Sequence, residues 1–174
     1  MGFYLNNKSK VSLYKSEMQR PYFVDKTLIL SELFPLIESG NSHICITRPR
    51  RFGKTVMANM IGAFFEKGED TKDIFDQLKI SKSPEYEKHR NKHDVIYIDF
   101  SKMPEDCDSY DRYISRIIKR LKKDLIREYP DADYEEDDAL WDILDCIFDM
   151  YDGQKFVFVM DEWDCVFHKE FISR

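Results

Sequence analysis

Long apolar runs are the first thing missing from this chain. No window of its 174 residues approaches the roughly 18 consecutive apolar positions of a membrane-spanning helix. Excess positive charge is missing too. Lys and Arg number 27 against 33 Asp and Glu, giving a net charge of −6 and a pI near 5.3. A globally basic nucleic-acid coat is excluded by that balance. Cysteine is sparse, and Cys45, Cys107, Cys146 and Cys165 form no C-x-x-C pair. They read as reduced thiols rather than a disulfide framework. Residues 1–8 contain no apolar signal-peptide core, which predicts a cytoplasmic protein. Glycine and proline, six each, build no low-complexity linker, and no segment repeats. What is present suffices for one domain with a core: 43% hydrophobic and 14% aromatic residues.

The fold class expected is α/β. Residues 1–20 form a polar segment rich in Lys and Ser, expected to be loosely ordered, and residues 21–174 form the domain. Asp25 or Thr27 can cap a helix running towards Gly40. His43–Thr47 reads as a short buried strand, and from Lys54 the spacing of Met57, Met60, Ile61, Phe64 and Phe65 is helical up to Gly68. A second strand covers Asp94–Phe100. The stripe Tyr113, Ile117, Leu121 and Leu125 marks a long helix that Pro130 ends. Asp137 or Asp138 can cap a third helix over 139–151, closed by Gly153, and Phe156–Met160 is a third, wholly apolar strand. Apolar strands separated by helices argue for a parallel sheet covered on both faces. His89 and His93 stand at i, i+4 among lysines and an arginine. With no neighbouring acid or cysteine cluster to complete a zinc site, they read as a solvated surface.

Chemistry concentrates at two places. Thr47-Arg48-Pro49-Arg50-Arg51-Phe52-Gly53-Lys54-Thr55 follows a strand and opens a helix, the setting of the phosphate-binding loop G-x-x-x-x-G-K-[ST]. Such a turn aims backbone N–H groups at one point, and the helix N-terminus adds partial positive charge. Gly53 permits close approach, Lys54 reaches β- and γ-phosphates, and Thr55 offers a hydroxyl to Mg²⁺. The segment assigned to the nucleotide comprises Arg48, Pro49, Arg50, Arg51, Phe52, Gly53, Lys54, Thr55 and Val56, with Arg48 where the motif has its first glycine. One of Arg50 and Arg51 is expected at the γ-phosphate or at a neighbouring subunit. The second place is the apolar strand Phe156–Met160, which delivers Asp161 and Glu162 to its carboxyl end, where open α/β sheets bind ligands. Asp161 there can hold Mg²⁺, and Glu162 can deprotonate the attacking water. Asn91-Lys92-His93-Asp94 spells the guanine-reading N-K-x-D but precedes its strand instead of following the metal-binding one, and no D-x-x-G follows the phosphate loop. Guanine specificity is not expected.

With Arg48–Thr55, Phe23–Thr27 and Asp161–Asp164 taken together, the sequence resembles the bacterial AAA-ATPase-like family. The resemblance implies a three-layer α/β/α P-loop NTPase with a mostly parallel sheet in the order 5-1-4-3-2. It makes Lys54 and Thr55 the Walker A residues, Asp161 the Walker B aspartate and Glu162 the catalytic glutamate, with ATP and Mg²⁺ as cofactors. Phe23–Thr27 falls where related ATPases contact adenine. Members often carry a C-terminal PD-(D/E)XK nuclease-like domain, which would bring nucleic acid as a partner; for this chain a homo-oligomer is a further expectation. On this pattern the chain holds three core strands and ends just after Walker B, so a C-terminally incomplete domain is expected, with hydrolysis by this chain alone in doubt. In that order one strand width separates His43–Thr47 from Phe156–Met160.

The leading functional expectation is a Mg²⁺-dependent ATPase, with catalysis by Glu162 and Lys54. The alternative is a nucleotide-dependent switch with little turnover, and steady ATP consumption separates the two. A small-molecule kinase fits less well, because neither an acceptor pocket nor a lid is evident. The basic residues Arg112, Arg116, Lys119, Arg120, Lys122 and Lys123 read as a solvated helix face rather than a nucleic-acid patch.

Overall fold

The computed structural model describes residues 2–40, 43–47, 49, 52–104, 107, 109–135 and 137–168, the last three by backbone alone. Two strands, β1 (Asp94–Asp99) and β2 (Phe156–Asp161), pair in parallel. Their register sets Asp94 opposite Phe156 and Asp99 opposite Asp161, so both strands deliver a carboxylate to the same sheet edge. Alternation along β1 sends Val95 and Tyr97 to one face and Ile96 and Ile98 to the other.

The first face carries α1 (Ser9–Met18), α2 (Ile29–Ser39) and α3 (Lys54–Phe65), then the short helices α4 (Lys72–Phe75) and α5 (Tyr86–His89). Phe34, Phe64, Phe65 and Phe75 form the middle of that core, with edge-to-face contacts at 5.1 Å between Phe64 and both Phe65 and Phe75. α3 lies close to α1 and β1 because Gly62 has no side chain there. A Cβ at Gly62 would stand 3.3 Å from both Lys10 and Tyr97. The second face carries α6 (Tyr110–Glu128) and α7 (Leu140–Met150) over Ile96 and Ile98. Ser109 caps α6 by accepting from the Arg112 N–H. Helices thus cover both faces of the sheet, as apolar strands with interposed helices require.

Several expectations are corrected. The opening segment is not loose. Tyr4–Asn6 lies antiparallel against the outer edge of β1, with Leu5 bridged to Ile96, Tyr97 N–H donating to Tyr4 O and Asn6 N–H to Val95 O. The Asn6 amide extends the ladder by accepting from Val95 N–H and donating to Asp94. Asp124 of α6 accepts from the N–H groups of Tyr4 and Leu5 at 2.7 and 3.3 Å. His43–Thr47 is not a strand. Among the described residues it has no ladder partner, and Ile44 and Cys45 are exposed, because a strand without a neighbour has nothing to satisfy its backbone. Asp25 caps no helix. It accepts from Thr27 and, across the fold, from Lys79 N–H, tying the α2 approach to the 3-10 turn Lys79–Lys82. Neither Asp137 nor Asp138 caps α7, whose start is fixed by Asp142 accepting from Ala139 N–H. α3 ends at Phe65, short of Gly68. His89 is not solvated: only 2% of it is exposed, and it stacks on Phe34.

The basic residues of α6 divide. Arg120 lies over the Phe3 ring and Lys122 donates to Asp138 O, while Arg112, Arg116, Lys119 and Lys123 are exposed. Among the described residues no helix is long and apolar enough to cross a membrane.

Candidate functional site

Gly53 is where the chain turns into α3. Its φ of 77° and ψ of 30° lie in the left-handed region that a side chain disfavours, and this turn sets the helix entry. The first helical hydrogen bond runs from Met57 N–H to Gly53 O, so the N–H groups of Lys54, Thr55 and Val56 have no acceptor within the helix. Gly53, at the N-cap position, has no side chain with which to cap them. Lys54 and Val56 are partly buried and Thr55 and Phe52 exposed, while Pro49 O accepts from Phe52 N–H. Arg48, Arg50 and Arg51 lie outside the described residues. A cation that the motif does not include stands beside this turn: the Lys26 Nζ is 3.9 Å from where a Gly53 Cβ would be.

The acidic strand end is linked to the same helix through Tyr97. α3 packs on both strands, and Asn59, one turn beyond Thr55 on the same helix face, accepts from the Tyr97 hydroxyl at 3.3 Å. That hydroxyl also lies 3.4 Å from the Asp161 carboxylate. Asp161 is 5% exposed and also accepts from Glu162 N–H. Glu162 has φ 52°, the left-handed region, so the chain reverses at once after β2 and enters the 3-10 turn Trp163–His168, with Cys165 N–H donating to Glu162 O. Lys54 and Thr55 therefore begin the helix that packs on the strand ending in Asp161.

Behind the carboxylate lies a buried polar group that the sequence did not signal. The Lys10 ammonium sits 3.5 Å over the Tyr97 ring. Burial pushes this amine down to about 8, against the pull of Asp99, Asp161 and Glu66. Burial likewise pushes the Glu66 carboxyl up to about 8, and neither of its oxygens has a hydrogen-bond partner. The Tyr97 phenol is driven well above its ordinary value by burial, then by Asp161 and Asp99. Lys10 sits in a polar stretch without periodicity. Only Asn59 was open to detection, through its i+4 spacing from Thr55.

A cleft of about 380 Å³ opens on the other side of the α3 start. Tyr14, Phe23, Val24, Val56 and Met57 give it an apolar wall, and Lys26, Phe52 and Gly53 stand where it meets the turn. Phe23 and Val24, placed on the adenine side by resemblance, line this cleft.

A scan against protein families matches residues 14–173 to the AAA-ATPase-like family, described as predicted AAA-ATPase. The chain belongs to that family. Searches of curated proteins and of solved structures gave no match. For an AAA-ATPase-like chain the donor set is chemically apt. Amides without helical acceptors and two lysines suit phosphate, and a hydroxyl with a buried carboxylate offers the hard oxygen ligands that Mg²⁺ takes.

Proposed function

We propose that this AAA-ATPase-like chain binds ATP with its phosphates at the start of α3 and its base in the adjoining cleft. One observation carries the reading: a cleft with an apolar wall and the charged residues Glu17, Arg20 and Lys26 ends at Gly53, beside three helix N–H groups without helical acceptors. A flat aromatic base fits an apolar wall with aromatic members, and a polyphosphate fits amides at a helix N-terminus. Lys54 is the cation of the loop, and Lys26 adds a second from the cleft side. Thr55 and Asp161 would hold Mg²⁺, which when bound screens the charge on the transferred phosphoryl group.

Hydrolysis is the second half of the proposal. Glu162 leaves β2 beside Asp161 and is the carboxylate available to accept a proton from an attacking water. Catalysis would rest on positioning and charge stabilisation, with Lys54 as the group nearest the phosphates.

Calorimetric titration of ATP into wild type and Lys54→Ala tests the binding half. Binding in wild type with loss of at least about tenfold in the variant is expected, because a charged phosphate contact is worth about 1.5–3 kcal/mol. Equal affinities would refute the site.

A further inference from the structure

At the end of α2, among residues that do not line the cleft, three groups able to ligate a metal converge. Glu38 lies in the last turn of α2. Glu85 immediately precedes α5 and His89 ends it, so the two stand at i, i+4 on one face. One ligand atom from each lies within 4.8 Å of the others. His89 Nε2 is already 3.0 Å from Glu38 Oε1. We propose that Glu38, Glu85 and His89 form a binding site for a divalent zinc-class metal ion, which ties the end of α2 to α5.

The imidazole is held as a metal ligand needs to be. Its ring stacks on Phe34 with centroids 4.4 Å apart and 14° between planes, and Phe65 meets it edge-on. Its other nitrogen, Nδ1, is 3.0 Å from His93 Nε2. With the His89 proton on Nδ1 and donated to His93, the Nε2 lone pair points at the carboxylates. A ligating histidine is commonly fixed in this way by a second group on its far nitrogen. A lone pair and a carboxylate oxygen 3.0 Å apart repel unless a proton or a cation lies between them. The metal replaces the proton that the opposite tautomer would place there.

The site already attracts a cation. The Lys88 ammonium pairs with the same Glu38 oxygen, yet Lys88 is exposed and can swing away. Ligand atoms around a tetrahedral zinc lie about 3.3 Å apart, so the His89–Glu38 edge is already near that spacing. The partly buried Glu85 side chain closes the third corner by rotation, and water fills the fourth. One imidazole with two carboxylates selects a zinc-class ion over Mg²⁺ or Ca²⁺, which prefer all-oxygen shells. This assignment is independent of the nucleotide site.

The test titrates Zn²⁺ and, separately, Co²⁺ into the full chain without nucleotide, following heat and visible absorption. His89→Ala removes a buried, stacked ring and can unfold the protein, so the informative variants are Glu38→Gln and Glu85→Gln. One ion per chain is expected, with Co²⁺ bands that Zn²⁺ abolishes and no thiolate charge-transfer band. Each Gln variant should weaken binding by at least about tenfold, the scale of losing a ligand or its support. Lys88→Gln should tighten it by removing the competing cation. Absence of Co²⁺ bands, a thiolate signature, or affinity unchanged in both Gln variants would each overturn the site.

Discussion

Glu66→Gln should change how stability depends on pH. Glu66 is 2% exposed and neither carboxylate oxygen has a partner, so the fold holds its proton until about pH 8, against an ordinary value of 4.5. Between those limits the folded chain binds more protons at this position than the unfolded chain. Stability therefore falls as pH rises through that window, and the full loss is present above pH 8. The interval from 4.5 to about 8, at about 1.4 kcal/mol for each pH unit, corresponds to about 5 kcal/mol. Lys10 acts in a different window. Its folded value of about 8 lies below the ordinary 10.5, so its cost is constant below pH 8 and is relieved only as pH rises from 8 to 10.5. Urea unfolding of wild type and Glu66→Gln at pH 5 and pH 8 reports the carboxyl together with the charges coupled to it, Lys10 and Glu69, because the remaining groups cancel in the difference. The variant should gain about 3–5 kcal/mol relative to wild type between the two pH values. Parallel profiles would refute the claim that this carboxyl is buried without compensation.

Other outcomes can be checked on the same preparations. Asp124→Ala removes the acceptor for Tyr4 and Leu5 N–H and for Arg127, and should cost about 2–3 kcal/mol in chemical denaturation. Hydrogen exchange at Tyr4 and Leu5 should speed up with it. Gly53→Ala meets no clash, since Lys26 Nζ at 3.9 Å is ordinary contact, but the left-handed φ should cost about 1 kcal/mol in thermal unfolding. Glu162→Gln should retain ATP binding and lose phosphate release, because the amide keeps the shape without accepting a proton. Equal phosphate release would reduce Glu162 to a strand-end carboxylate.

Elements whose order comes from their own periodicity were legible. Met57–Phe65 announces α3, Tyr113–Leu125 announces α6, and the apolar run before Asp161 announces β2. Elements whose order comes from distant partners were not. Val11 and Tyr14 are too few to mark α1 in a polar stretch, and Tyr4–Asn6 is held by Val95 and Asp124, about 90 and 120 residues away. His43–Thr47 failed for the converse reason, since its composition suits a strand but none of the described residues supplies the ladder. The same limit governed the sites. Gly53-Lys54-Thr55 and Asp161-Glu162 are contiguous and could be read directly. Lys26 joins the loop only through folding, and Lys10 and Glu66 are ordinary charged residues until burial changes them. Glu38 is some fifty residues from His89, so a histidine pair apparently lacking acids in fact has them.

The bridge between Leu5 and Ile96 also bears on the order in which a growing chain can fold. Tyr4–Asn6 are synthesised well before their backbone partners on β1 and their carboxylate acceptor on α6. They must wait until Asp124 has been made and has emerged, while the helices around Phe34, Phe64 and Phe75 can already collapse on one another. Because this closure spans so much chain, it should be a late event and slow relative to local helix formation. Until it occurs, the outer edge of β1 is an open template for pairing with other chains. A weakened Asp124 anchor would thus show itself first as aggregation during synthesis or refolding, before any defect in the finished protein.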